Sequence, residues 1–112
     1  MTTSQYSIAI PERQSGVVRL AASGELDFAA REDLDAALRD AVAHASSGWE
    51  ICVDLDKVTY IDSTAIGVLA RAAAAARKSG AAMYVINSHG LVREVLTITG
   101  VLERLQPPAG HR

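Results

Sequence analysis

Residues 49–67 read WEICVDLDKVTYIDSTAIG, and this stretch decides the fold. Its first part, Trp49 to Leu55, is almost continuously apolar, which is typical of a central strand covered on both faces. Asp56 to Tyr60 is predicted to be a short connection. From about Ala65 to Ser79 the apolar residues recur at helical spacing. A buried strand followed by an amphipathic helix indicates an α/β domain.

Strands and helices continue to alternate on both sides of this stretch. The further predicted elements are strands at residues 5–10 and 17–23, a helix at 28–45, a strand at 82–86, a helix at 91–99 with Leu91, Val95 and Ile98 inward, and a short strand or helix extension at 101–105. The polar turn at residues 11–16 suggests an antiparallel hairpin between the first two strands. The helices imply parallel crossovers for the later strands. The expected fold is therefore a small mixed sheet of four to five strands with helices packed on it.

The composition is that of one folded domain. Of the 112 residues, 49% are hydrophobic and 21% are charged, as in globular proteins generally. We predict a single domain over residues 1–112, with a core at about 5–105 and a flexible, proline-containing tail at 106–112.

The net charge argues against a nucleic-acid partner, and the single cysteine excludes a disulfide within the chain. The net charge is −2 and the basic residues are scattered, so we expect no nucleic-acid binding. Cys52 is the one cysteine and lies in an apolar run, which favours a buried structural thiol. No disulfide can form within the chain.

Neither a membrane span nor a bound cofactor is predicted. The alanine-rich stretch from Ala65 to Ala76 is too short for a span and contains Arg71. Residues 1–7 are polar and lack the apolar segment of a signal peptide, so we expect a cytoplasmic protein without direct membrane insertion. No histidine and carboxylate spacing suits a metal, and no glycine-rich phosphate loop occurs, so we expect neither a metal nor a cofactor.

The first candidate site is Asp62-Ser63-Thr64, where the central strand gives way to the helix. A helix N-terminus has unpaired amide groups and a partial positive charge, so it tolerates a hydroxyl or a phosphate. Ser63 is therefore a candidate phosphate acceptor. From the pattern alone, the favoured interpretation is that Asp62 or Ser63 is no more than a helix cap.

Two other places are weaker candidates. Gly24-Glu25-Leu26-Asp27 also joins a strand to a helix, with Asp27 a good N-cap. Carboxyl ends of parallel strands gather at one edge of a sheet, so Asp27 is expected near Ser63. His89, in a polar loop, could be a base but is more typical of a solvated side chain.

The two junctions together resemble those of the STAS domain family, and most closely the bacterial anti-sigma factor antagonists. The likeness rests on Gly24-Glu25-Leu26-Asp27, on Asp62-Ser63-Thr64-Ala65-Ile66-Gly67 about 35 residues later, and on the strand before it. It spans Tyr6 to Leu105. It implies that Ser63 is phosphorylated, with Thr64 as the alternative acceptor.

The resemblance also implies partners. An anti-sigma factor serine kinase would bind the unphosphorylated chain and so free the sigma factor, and a phosphatase would remove the phosphate from Ser63. The positions implied for partner contact are Glu25, Asp27, Asp62, Thr64, Ala65 and Gly67. Ala65 stands where the family often has glycine. The chain is expected to be a monomer or weak dimer and not an enzyme.

Two alternatives stay open at this point. The chain could be a STAS subunit of a stress-signalling scaffold or of a lipid-transport ATPase assembly. It could also be a small hydrolase or phosphotransferase with Ser63 as nucleophile, for which His89 is the only loop candidate for a base.

Overall fold

A computed structural model describes residues 5–9 and 11–107, which form an α/β sheet-and-helix fold. The strands are β1 (Tyr6–Ile8), β2 (Glu12–Gln14), β3 (Val17–Leu26), β4 (Glu50–Ile61) and β5 (Ala82–Ile86). The helices are α1 (Arg31–His44), α2 (Ser63–Lys78), α3 (Gly90–Ile98) and α4 (Val101–Arg104), with a short 3₁₀ helix at Phe28–Ala30 ahead of α1. The predicted α/β class and mixed sheet are confirmed.

The sheet has the order β1-β3-β4-β5, and β2 also pairs with β3. Both β1 and β2 run antiparallel to β3, whereas β3, β4 and β5 are parallel. The predicted antiparallel pairing of the first segment is confirmed for residues 6–8, and Ile10 lies outside the described residues. The turn predicted at residues 11–16 is wrong in part, because β2 occupies its middle.

The connection predicted at Asp56–Tyr60 is wrong, because β4 continues through it to Ile61. Leu55, Val58 and Ile61 are the buried residues here, and they stand three apart. A regular strand would bury every second residue, so the pattern does not indicate a strand.

Two β-bulges cause this spacing. The pairing of β3 with β4 shifts register between Ala21 and Ser23 and again between Gly24 and Glu25, and each shift adds a residue to β4. Extra residues of this kind bend the strand and increase its twist. The same pairing extends β3 to Leu26, three residues past the predicted end.

The core lies between the sheet and the helices. β3 buries Val18, Leu20 and Ala22 while Arg19 and Ala21 between them stay exposed, so one face of this strand is covered. α1 and α2 pack on the sheet and on each other, and their buried residues include Leu34, Leu38, Leu69, Ala73 and Ala76. The small alanines let α2 approach the sheet closely.

The inward face predicted for α3 is wrong. Leu91 and Ile98 are 54% and 77% exposed, and the buried residues are Val92 and Leu96. Both pairs fit helical spacing, so periodicity alone did not distinguish them. Val95 is half-buried, as it borders the core.

The final element is a helical turn, α4, and not a strand. After it, the carbonyl oxygen of Leu105 accepts a 2.9 Å hydrogen bond from the amide of Val85 on β5. The tail predicted at 106–112 is described only to Pro107, and residues 108–112 lie outside the described part. Within the described ranges, no helix is both long and apolar enough to cross a bilayer.

Candidate functional site

The two candidate junctions lie side by side at the carboxyl ends of β3 and β4. The strands end in register, with Leu26 opposite Ile61. The amide of Asp62 then donates a 3.1 Å hydrogen bond to the carbonyl oxygen of Leu26. Asp27 and Asp62 are therefore equivalent residues on neighbouring strand ends.

Asp62, and not Ser63, is the N-cap of α2. Its carboxylate Oδ1 accepts a 3.1 Å hydrogen bond from the amide of Ala65, and its carbonyl accepts one from Ile66. Ser63 is the first residue of α2 and is exposed. Within residues 5–9 and 11–107, no group hydrogen-bonds to its hydroxyl. Because Asp62 caps α2, the Ser63 hydroxyl is not needed as a cap and stays available for modification.

Replacing Asp62 tests this assignment of the cap. Asp62→Ala is expected to lower the free energy of unfolding by about 1 kcal/mol, the usual cost of losing an N-cap side chain. That corresponds to a drop of roughly 4 °C in melting temperature. Asp62→Asn is the matched control, because its amide oxygen can still accept from Ala65. Equal melting temperatures for Asp62→Ala and Asp62→Asn would contradict the assignment.

Asp27 caps the neighbouring 3₁₀ helix. Its Oδ1 accepts a 3.0 Å hydrogen bond from the amide of Ala29, and its carbonyl accepts from Ala30. The predicted N-cap role of Asp27 is confirmed. Glu25, two residues earlier, is exposed and stands opposite Tyr60 in the register of β3 and β4.

Two exposed aromatic side chains at this edge were missed by sequence reasoning. Phe28 directly follows Asp27 and is 71% exposed, with the Arg31 guanidinium 5.7 Å from its ring centroid. Tyr60 is 42% exposed. Phe28 is the only phenylalanine of the chain, and its position beside a motif aspartate was the available signal.

The remaining predicted contact positions lie along the first turns of α2. Thr64 and Gly67 are half-buried. Ala65 is fully buried, so its methyl group faces the core rather than a partner. A Cβ on Gly67 would lie 3.3 Å from Nη1 of Arg71, because that side chain lies across the glycine.

The structure does not bring His89 to Ser63. Nε2 of His89 lies 2.7 Å from the carbonyl oxygen of Asp56, in the middle of β4. Cys52 is buried as predicted, and burial raises the pKa of its thiol. Among the described residues, no cluster of histidine, cysteine and carboxylate side chains could hold a metal.

Comparisons with known protein families and solved structures agree with the fold described above. A family model described as "Mlab, STAS domain" matches residues 11–107. The structure of the anti-sigma factor antagonist SpoIIAA, a Bacillus cell fate determinant, in its unphosphorylated form is similar, with a TM-score of 0.71 and 18% identity over 93% of this chain and 90% of that one. No curated protein matches the sequence.

Two further structures widen the range of relatives. An anti-sigma factor antagonist from Mycobacterium paratuberculosis has a TM-score of 0.64 and 24% identity, over 87% of this chain and 81% of that one. The murine Slc26a9 anion transporter has a TM-score of 0.69 and 22% identity over 82% of this chain. The chain spans only 15% of that transporter. At these identities the likeness establishes the fold alone.

Proposed function

Because the chain belongs to the STAS domain family, we propose that it is an anti-sigma factor antagonist that binds an anti-sigma factor kinase until Ser63 is phosphorylated. The observation that carries the proposal is the exposed Ser63 hydroxyl, which Asp62 leaves free by capping α2. The solved antagonist structures of the same fold support it.

In this proposal the chain is a substrate and a binding module, not an enzyme. Oγ of Ser63 forms a bond to the γ-phosphorus of ATP as the bond to the β–γ bridging oxygen breaks. ADP leaves, and the hydroxyl proton passes to a base of the kinase. His89 contacts the carbonyl oxygen of Asp56 in the middle of β4 and not Ser63. This supports placing the base on the partner.

Charge explains how phosphorylation would release the partner. The phosphate adds about −1.5 to −2 charges at neutral pH. It enters an edge that already holds Asp27 and Asp62, and burying it unpaired in an interface costs about 3–5 kcal/mol. The unphosphorylated hydroxyl has no such cost, so it favours the bound state.

Phosphate transfer is the experiment that tests the proposal. The chain is incubated with ATP and candidate anti-sigma factor kinases, first of all any small ATP-binding kinase encoded beside it. Site-resolved mass spectrometry is expected to find one phosphate, on Ser63. A chain that stays unmodified by its cognate kinase would refute the switch.

The exposed Phe28 is expected to be an anchor of the partner interface. Aromatic side chains dominate interface energetics when they fill a partner's pocket. Phe28→Ala should weaken binding of the kinase about tenfold or more, measured by calorimetry or surface plasmon resonance. Ile98→Ala is the matched control, since Ile98 is as exposed but lies on α3. Equal losses for the two variants would contradict a specific role for Phe28.

The description of the matching family model, which names Mlab and not a sigma regulator, favours a second candidate. In it, the chain is a STAS subunit of a larger assembly, such as a stress-signalling scaffold or a lipid-transport ATPase, and Ser63 is structural or modulatory. Stable co-purification with transport subunits, without a sigma-linked kinase, would favour this candidate.

A further inference from the structure

Arg71 lies along the exposed side of α2 and points back toward its N-terminus. Its Nη1, Cζ and Nη2 atoms are 3.3, 3.9 and 4.0 Å from the position that a Cβ on Gly67 would occupy. Long side chains on helices lean in this direction. Because Gly67 has no side chain, the guanidinium can rest against the helix one turn after Ser63.

The Arg71 guanidinium has no anionic partner among residues 5–9 and 11–107. Asp35 lines the same groove between α1 and α2, but Nε of Arg39 holds its carboxylate at 2.8 Å. Arg71 is exposed and makes no ion pair with a described carboxylate. A cation without a fixed counter-charge therefore lies against Gly67, one helical turn after Ser63.

The spacing brings this cation within reach of a phosphate on Ser63. Side chains four residues apart on a helix have Cβ atoms about 5–6 Å apart. Ser63 and Gly67 are such a pair, and Nη1 of Arg71 lies 3.3 Å from the position that a Cβ on Gly67 would occupy. A phosphoryl group lengthens Ser63 toward that head.

We propose that Arg71 receives the phosphate of phosphorylated Ser63 within the same chain, across Gly67. This inference rests on the proposed phosphorylation of Ser63. The guanidinium can donate two parallel hydrogen bonds to phosphate oxygens, as arginine forks do. The phosphate then lies along α2, over the surface at Gly67 and Thr64, and covers the start of this helix.

The charged groups of the elements that meet here act in opposite directions. Asp62 of the β4–α2 junction and Asp27 after β3 repel the dianionic phosphate. Arg71 on α2 attracts it, and the Arg31 guanidinium at the start of α1 is a further cation, 5.7 Å from the ring centroid of Phe28. The Arg71 contribution is isolated by removing that side chain alone.

The test uses the full chain with phosphoserine placed at position 63 during synthesis, so no kinase is required. The second ionisation of the phosphate is followed by phosphorus NMR as pH is varied. In Arg71→Gln its pKa is expected to rise by about half a pH unit, in keeping with an exposed ion pair. Arg71→Lys should give a smaller rise, because the charge remains but the fork is lost.

Arg77→Gln is the matched control, since Arg77 is an exposed arginine in the last turn of α2. It is expected to leave the phosphate pKa unchanged. Equal pKa values in Arg71→Gln and Arg77→Gln would overturn the inference. Failure of the kinase assay with unmodified chain would refute the proposed function instead, so the two failures are distinguishable.

Discussion

Ser63→Ala is expected to abolish ATP-dependent phosphorylation of the chain, and Ser63→Glu to weaken its binding to the anti-sigma factor kinase roughly a hundredfold or more. Ser63→Ala removes the acceptor oxygen without disturbing the helix, because the cap belongs to Asp62. It should therefore bind the kinase as the unphosphorylated chain does. Ser63→Glu places a permanent negative charge where the phosphate would be.

Thr64→Ala is the matched control for these variants, because Thr64 is the adjacent hydroxyl and is half-buried. It should still take up one phosphate. Incorporation is measured by site-resolved mass spectrometry and binding by calorimetry. If Ser63→Ala were labelled as fully as the wild type, Ser63 would not be the acceptor. If Ser63→Glu bound with unchanged affinity, charge would not be the basis of release.

Gly24→Ala is expected to lower the free energy of unfolding by about 3 kcal/mol, through backbone strain and a steric clash. Gly24 has a φ of +82°, and a Cβ added there would overlap the carbonyl oxygen of Gln5 and lie 2.9 Å from Cα of Tyr6. These are backbone atoms, so β1 would have to move away from β3. The hydrogen bond from the Glu25 amide to the Gln5 carbonyl would weaken as well.

Gly16→Ala separates the two causes. Gly16 has a similar φ of +85°, but nothing lies within 4 Å of its Cβ position. It should cost only the conformational strain, about 1–2 kcal/mol. Urea unfolding of both variants measures the difference. Equal losses would mean that close approach of β1 does not require glycine at position 24.

The sequence was most informative where local chemistry and periodicity agreed. The apolar run at residues 51–55 predicted the central strand, and Asp27 was a predicted cap at the first strand-to-helix junction, as the structure confirms. Parallel pairing predicted that Asp27 lies near Ser63, and the adjacent ends of β3 and β4 bring Asp27 beside Asp62, the residue before Ser63. Which of Asp62 and Ser63 forms the cap was open, because both side chains can accept the same amide.

Other features depend on contacts that a single sequence does not reveal. The bulges of β4 arise from its pairing with β3, and they changed the burial period from two to three. On α3, two helix faces have apolar residues, one with Val92 and Leu96 and the other with Leu91 and Ile98. Packing against the core determines that the first of these faces is buried. The exposure of Phe28 was not predicted, because an apolar residue at the start of a helix is ordinarily expected to be buried.

The hydrogen bond from the Asp62 amide to the Leu26 carbonyl has a consequence for folding. It joins residues separated by the whole of α1, and closing that loop costs chain entropy before the parallel pairing is formed. A nascent or partly unfolded chain therefore contains Ser63 but not the edge that surrounds it. A partner that recognises both strand ends would therefore bind the folded chain and not an unfolded one.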